Sequence, residues 1–163
     1  MSLHKKLSQK IFTKETIPSF LETCKEQQKK VVFTNGCFDI LHRGHVEYLC
    51  HARDLGDVFV LGLNTDSSVK RLGKSPERPI NNETTRAIIL AALECVDAII
   101  LFDEDTPYEL INFIQPDVLV KGSDYKAEDI VGYDIVTNKG GKVITIQLVD
   151  GFSTTKLIEK MKS

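Results

Sequence analysis

The chain has 163 residues, with 21 Lys and Arg against 23 Asp and Glu and a formal net charge of −2. That length fits one compact domain able to bury a core, and the near-neutral balance excludes a general nucleic-acid binder, which presents a strongly basic face. No apolar run reaches bilayer-spanning length, the lysine-bearing first ten residues precede no apolar stretch and so do not read as a secretory signal, and four scattered cysteines (24, 37, 50 and 95) read as reduced thiols of a cytoplasmic protein.

Residues 1–12 are polar and read as a frayed end. Ile17, Phe20, Leu21 and Cys24 recur at helical spacing, with Pro18 tolerable in a first turn. Residues 31–33 read as a short buried strand, followed by the turn residues Thr34, Asn35 and Gly36. A helix is expected over 46–55, closed by Gly56, then a second strand over 57–63 and a short helix over 66–72. Residues 73–82, with two prolines, form the longest polar loop. A helix over 83–96 turns Ala87, Leu90, Ala91 and Leu93 inward. A third strand (98–102), a helix with Pro107 in its first turn (106–115), a fourth strand (117–120), a fifth (142–148) and a last helix (153–162) follow. Residues 123–141 read as loop, short helix or both. Short apolar strands alternating with helices predict an α/β fold with about five parallel strands and helices on both faces, since parallel neighbours need crossover connections.

The most informative stretch runs Cys37-Phe38-Asp39-Ile40-Leu41-His42-Arg43-Gly44-His45. It lies between a strand and a helix, where open α/β sheets hold phosphates. Two imidazoles there can donate to phosphate oxygens, and Gly44 lets the backbone come close. Other suggestive clusters also follow expected strands: Asn64-Thr65-Asp66, Lys121-Gly122-Ser123-Asp124-Tyr125, and Gly151-Phe152-Ser153-Thr154-Thr155-Lys156. Taken singly, Ser153 to Thr155 would be an ordinary helix cap, Lys121-Gly122 a turn, and Asp66 a helix cap. Gathered at one sheet edge, free N–H groups, hydroxyls and a helix dipole make an anion seat. Cys37, His42, His45 and Cys50 also carry zinc-type ligands. Structural zinc sites place cysteines in close pairs, however, and helical periodicity turns Cys50 away from His45. No metal ligand set is therefore expected. Cys37 reads as a small residue in a crowded turn, and Cys24, Cys50 and Cys95 as buried apolar fillers.

These residues resemble the nucleotidyltransferases of the HxGH superfamily, through His42-Arg43-Gly44-His45, and most of all the adenylyltransferases of ADP-heptose synthesis. The likeness extends over residues 62–69, Arg78-Pro79-Ile80, Arg86, residues 102–107, 116–125 and 151–156. It departs at Ser123, where that family has a second glycine, and in the loop 71–78. The first thirty residues match no pattern of the family. The resemblance implies a Rossmann-like doubly wound sheet and a nucleotidyltransferase domain over 31–163, while the apolar spacing makes residues 1–30 an N-terminal extension bearing an amphipathic helix. It implies transfer of AMP from ATP to a sugar 1-phosphate, with pyrophosphate leaving and Mg²⁺ carried on the triphosphate. His42, His45 and Lys156 would be catalytic. Asn35, Gly36, Cys37, Phe38, Gly44, Lys121, Gly122, Asp124, Ser153, Thr154 and Thr155 would bind the nucleotide. Asp39, Asp66, Lys74, Arg78 and Arg86 would serve the acceptor, Asp39 alternatively orienting the histidine turn. It also implies a homodimer and a separate sugar kinase upstream. A glycerol-3-phosphate cytidylyltransferase shares the Ser-Thr-Thr-Lys ending and is the nearest rival. A class I aminoacyl-tRNA synthetase fragment shares the two-histidine turn but would carry a Lys-Met-Ser-Lys-Ser loop, absent here. A non-catalytic nucleotide-binding module would have no need of both histidines and the hydroxyl cluster.

Overall fold

The computed structural model describes residues 2–73, 75–124, 126–149 and 151–162. Its strands are β1 (Ile11–Phe12), β2 (Val31–Gly36), β3 (Val58–Asn64), β4 (Ala98–Phe102), β5 (Val118–Gly122) and β6 (Lys142–Ile146). All six pair in parallel in one sheet, in the order β1-β4-β3-β2-β5-β6. The helices are α1 (Leu3–Ser8), α2 (Ile17–Glu26), α3 (Arg43–Arg53), α4 (Asp66–Arg71), α5 (Glu83–Ala91), α6 (Tyr108–Ile114), α7 (Tyr133–Asn138) and α8 (Thr154–Lys162), with a 3₁₀ turn at Ala127–Asp129.

Period-two alternation divides the core between the two sheet faces. Val31, Phe33, Val60, Ile100 and Leu119 point to the face covered by α2, α6 and α7, where they meet Ile17, Leu110, Ile111 and Val136. Val32, Phe59, Leu61, Ile99 and Val120 point to the other face and meet Tyr48 and Leu49 of α3 and Leu90 of α5. Strand register is reinforced by a repeated device. Asp57, Asp97 and Asp117 each stand one residue ahead of a strand and accept an amide in or just ahead of a neighbouring strand: Lys30 N–H, Phe59 N–H and Val31 N–H, each at 2.8 Å.

Several expectations need correction. The N-terminus is not a frayed polar end. Ser2 caps α1 by accepting the Lys5 amide, and β1 adds a sixth strand by pairing with β4, with the Ile99 amide bonded to the Lys10 carbonyl at 2.7 Å. A two-residue edge strand carries too little pattern to be read from sequence. Helix α3 starts at Arg43, three residues earlier than its apolar periodicity suggests, because His42 caps it. Helix α5 ends at Ala91, and the uncertain region 123–141 holds the 3₁₀ turn and α7. Cys50 is exposed and so is not a core filler, whereas Cys24 is buried and the half-buried Cys95 packs against the core.

Strand β2 is the pivot of the topology. The chain leaves it through α3 toward β3 on one side, and later returns through α6 to β5 on the other. A crevice opens above the carboxyl ends of two such strands, where open sheets bind ligands.

Candidate active site

The turn after β2 is built on close contacts. Phe38 holds a left-handed backbone (φ +45°), an unusual state for a bulky residue and one that clusters at functional sites. Its ring lies edge-on to His45 with centroids 5.3 Å apart. A Cβ on Gly36 would stand 2.9 Å from that ring, so a side chain there would push the Phe38 ring from its place. His42 is the N-cap of α3: its Nδ1 accepts the His45 amide at 3.3 Å, and the two imidazoles stack with centroids 3.8 Å apart. An accepting Nδ1 fixes the neutral tautomer with the proton on Nε2. A Cβ on Gly44 would lie 3.1 Å from the Phe152 Cβ and 3.2 Å from the His42 ring, so this glycine makes room for both residues.

Burial holds His42 below its ordinary value. His45 is pushed down to about 4, first by burial and then by His42 and Arg78, with the Ile40 carbonyl opposing. Both rings are therefore neutral at pH 7. His45 Nδ1 is buried without a hydrogen-bond partner, a cost that active sites carry where a group is reserved for chemistry. One turn along α3, Tyr48 bonds Thr34 Oγ1 at 2.7 Å, and Thr34 donates to the Val120 carbonyl. Burial pushes the Tyr48 phenol up to about 12 against the Thr34 bond. This chain ties α3, β2 and β5 together beneath the crevice.

A second network locks the loop before α5 to the histidine turn. Asp39, 2% exposed, accepts from Arg78 Nε at 3.1 Å, from the Ile80 amide at 3.0 Å and from the Asn81 amide at 2.9 Å. Burial alone would raise this carboxyl, but the two amides and Arg78 hold it below the usual range. Arg86 is fully buried. It donates to the Cys37 carbonyl at 2.7 Å, the Asn81 carbonyl at 3.0 Å and Asp66 at 2.8 Å.

The last helix brings the far part of the sequence to the same place. Ser153 Oγ accepts the Lys156 amide at 3.1 Å, so this hydroxyl is a helix cap. Thr154 is buried and donates to the Ile40 carbonyl, joining α8 to the histidine turn. Phe152 lies over His42 at 6.1 Å, and Arg43 stands 6.0 Å from its centroid. On the β5 side Lys121 reaches the side chain and carbonyl of Asn35. The result is one cavity of about 740 Å³ above the carboxyl ends of the strands, walled by the histidine turn, the ends of β3 and β5 and the start of α8.

The stretch from Phe33 to Lys160 matches the family model described as Cytidylyltransferase-like. The chain belongs to the cytidylyltransferase-like family. It is a nucleotidyltransferase. Among curated relatives, the bifunctional protein HldE of Syntrophotalea carbinolica is 56% identical over 152 residues, covering 93% of this chain and 31% of the relative. HldE of Citrifermentans bemidjiense is 60% identical over 135 residues, 83% of this chain and 28% of the relative. The chain thus spans about a third of the length of these relatives. Among solved structures, a lipopolysaccharide core biosynthesis protein from Thermoplasma volcanium superposes with a TM-score of 0.65 at 31% identity, over 75% of this chain and 99% of that one. A pantoate-beta-alanine ligase from Francisella tularensis shares the fold at a TM-score of 0.57 and 16% identity, over 93% of this chain and 76% of that one. Among the described residues no helix is long and apolar enough to cross a membrane.

Within this family frame, the residues expected at the site separate into groups. Those expected to hold the nucleotide, together with His42, His45 and Arg78, line the cavity. Asp39, Asp66 and Arg86 do not: Asp39 and Arg86 are buried and bonded inside the protein, and one carboxylate oxygen of Asp66 pairs with Arg86, so for Asp39 the alternative of orienting the histidine turn fits these bonds. Asp66 is not a cap either: Thr65 caps α4, and Asp66 pairs with Arg86. Lys156 is exposed in the first turn of α8, beside the cavity lining rather than in it. Lys74 lies outside the described residues. Sequence reasoning passed over Tyr48, which the three-residue spacing from His45 on a helix could have flagged. It also passed over the apolar wall of Ile130, Val131, Leu148 and Val149, which carries no chemical signal of its own.

Proposed function

We propose that the chain transfers AMP from ATP to a sugar 1-phosphate, with heptose 1-phosphate as acceptor, releasing pyrophosphate and an ADP-sugar for lipopolysaccharide or other surface glycan. The observation that carries the reading is the convergence of His42, His45 and Thr155 on one cavity that Arg78 and Lys121 also line. The names of the HldE relatives and of the lipopolysaccharide core biosynthesis structure support the sugar branch.

An oxygen of the acceptor phosphate, already deprotonated at neutral pH, attacks the α-phosphorus. A P–O bond forms as the bond to the β-phosphate bridging oxygen breaks, and pyrophosphate leaves with that electron pair. No base and no covalent enzyme intermediate are needed, so catalysis is positioning and charge stabilisation. His42 Nε2–H and His45 donate to α- and β-phosphate oxygens as charge moves onto them. The amides at the start of α8, with Thr155 and the nearby Lys156, hold the β- and γ-phosphates. The apolar wall of Ile130 and Leu148 receives the base, with Lys121 and Asp124 on the nucleoside side. Arg78, aimed by Asp39, takes the acceptor phosphate. Mg²⁺ enters as part of the triphosphate substrate, bound by phosphate oxygens. A sugar kinase supplies the acceptor.

The test is a pyrophosphate-release screen of ATP, CTP, GTP and UTP against heptose 1-phosphate, hexose 1-phosphates and glycerol 3-phosphate. Turnover with ATP and heptose 1-phosphate well above every other pair is expected. Preference for CTP and glycerol 3-phosphate would replace this reading with the cytidylyltransferase one.

A further inference from the structure

The segment Asp103-Glu104-Asp105-Thr106-Pro107, at the carboxyl end of β4, has no role in the reaction described above, yet it is held firmly. Thr65 Oγ1 bonds Asp103, Ser68 Oγ donates to the Glu104 carbonyl at 3.2 Å, and Lys14 pairs with Glu104 at 2.8 Å. Arg71 Nε donates to Asp105 Oδ1 at 2.7 Å and leaves Oδ2 open. At the end of β3 the buried Asn64 donates its amide to Ser68 Oγ at 2.9 Å. Because the Ser68 proton is used on Glu104, the orientation of Asn64 is fixed and its Oδ1 is left as an acceptor. Asn64, Asp105 and Thr106 all line the cavity.

Their place in the sheet decides what they face. β4 and β6 stand on opposite sides of β2, four strand intervals apart. At about 4.8 Å per interval, their ends are separated by roughly 19 Å, with the histidine turn between. The β5–β6 half is walled by Ile130, Val131 and Leu148, which suits a flat base. Among the described residues that line it, the β3–β4 half offers acceptor oxygens of Asn64 and Asp105, the Thr106 hydroxyl and the cation Arg78. Acceptor oxygens match neutral hydroxyl donors and oppose a second anion.

We propose that Asn64, Asp105 and Thr106 form a subsite that reads the hydroxyl groups of the acceptor sugar, while Arg78 takes its single phosphate. This deepens the proposed function and rests on it. Arg71 acts through Asp105 as a positioning residue.

The test is steady-state kinetics with ATP and heptose 1-phosphate for wild type, Asp105→Ala, Asp105→Asn and Thr106→Val. The Asp105 side chain is 79% exposed, so its substitution leaves the fold intact. Loss of a hydroxyl contact is expected to raise the acceptor KM about tenfold for Asp105→Ala and for Thr106→Val, with the ATP KM within about twofold of wild type. Asp105→Asn, which keeps an acceptor oxygen, recovers most of the loss. An unchanged acceptor KM, or a rise in the ATP KM instead, overturns the subsite while leaving the transferase reading in place. A wild-type enzyme that releases no pyrophosphate with any sugar 1-phosphate overturns that reading and the subsite with it.

Discussion

His42 Nδ1 accepts the backbone amide of His45 at 3.3 Å, and the two rings stack 3.8 Å apart. One imidazole therefore both caps α3 and keeps its Nε2–H for a ligand. The two tasks are separable, because asparagine is among the best N-caps and lacks the imidazole donor. His42→Asn is expected to lower kcat by about 10²–10³-fold, as loss of one transition-state donor does, while unfolding free energy changes by less than about 1 kcal/mol. Pyrophosphate release and urea unfolding on the same preparation check both. Near-normal turnover would remove His42 from the chemistry.

The depressed His45 value has a consequence for stability. The folded ring titrates at about 4 against an ordinary 6.5, so between those pH values the unfolded chain binds more protons. The contribution is fully present above pH 6.5 and is lost as pH falls through 4. Its size is up to about 3 kcal/mol. Urea midpoints for wild type are expected to drop between pH 7 and pH 5 more than those of His45→Gln, which has no titrating ring. Parallel curves for the two proteins would count against the burial of this ring. For the same reason protonation of the His45 ring is expected to add no inflection near pH 6.5 to the profile of kcat/KM for ATP, so His45→Gln should leave the shape of that profile unchanged there.

The sheet was legible because its strands are short apolar runs punctuated by Gly, Asn and Asp, and the histidine turn because its residue types are so particular. Residues whose job is to hold others could not be read in the same way. Arg86 and Asp39 look like surface charges beside a phosphate site, yet Arg86 is the largest fully buried side chain, and its partners, the Cys37 and Asn81 carbonyls, are backbone atoms that no pattern of side chains reveals. His42 as a cap was equally hidden, since capping preference points to Ser, Thr, Asp or Asn. Strand β1 was missed because two residues have no periodicity.

Gly44 separates packing from catalysis in another way. Alanine is the better helix former by about 1 kcal/mol, but its Cβ would stand 3.1 Å from Phe152 and 3.2 Å from His42. The His42 ring and the Phe152 Cβ must both give way, and a shift of that ring moves the donor. Gly44→Ala is expected to fold with stability within about 1 kcal/mol of wild type and to lose tenfold or more in kcat, since small misplacements of reacting groups are costly. Wild-type kcat in this variant would show that the glycine is not needed for the approach of the rings.

Asp39 and Arg78 offer the clearest test of the positioning network. Their side chains are 0% and 8% exposed and pair at 3.1 Å, and the same carboxylate also holds the Ile80 and Asn81 amides. Removing one partner strands the other in a desolvated place, which costs about 3–5 kcal/mol, whereas removing both relieves that penalty. Asp39→Asn and Arg78→Met should each destabilise the fold and raise the acceptor KM. The double variant should cost less than the sum of the two, by about 1–2 kcal/mol. Chemical denaturation of the four proteins completes the cycle. Strict additivity would mean that Asp39 acts only on the backbone of the loop, and that Arg78 reaches the cavity without its help.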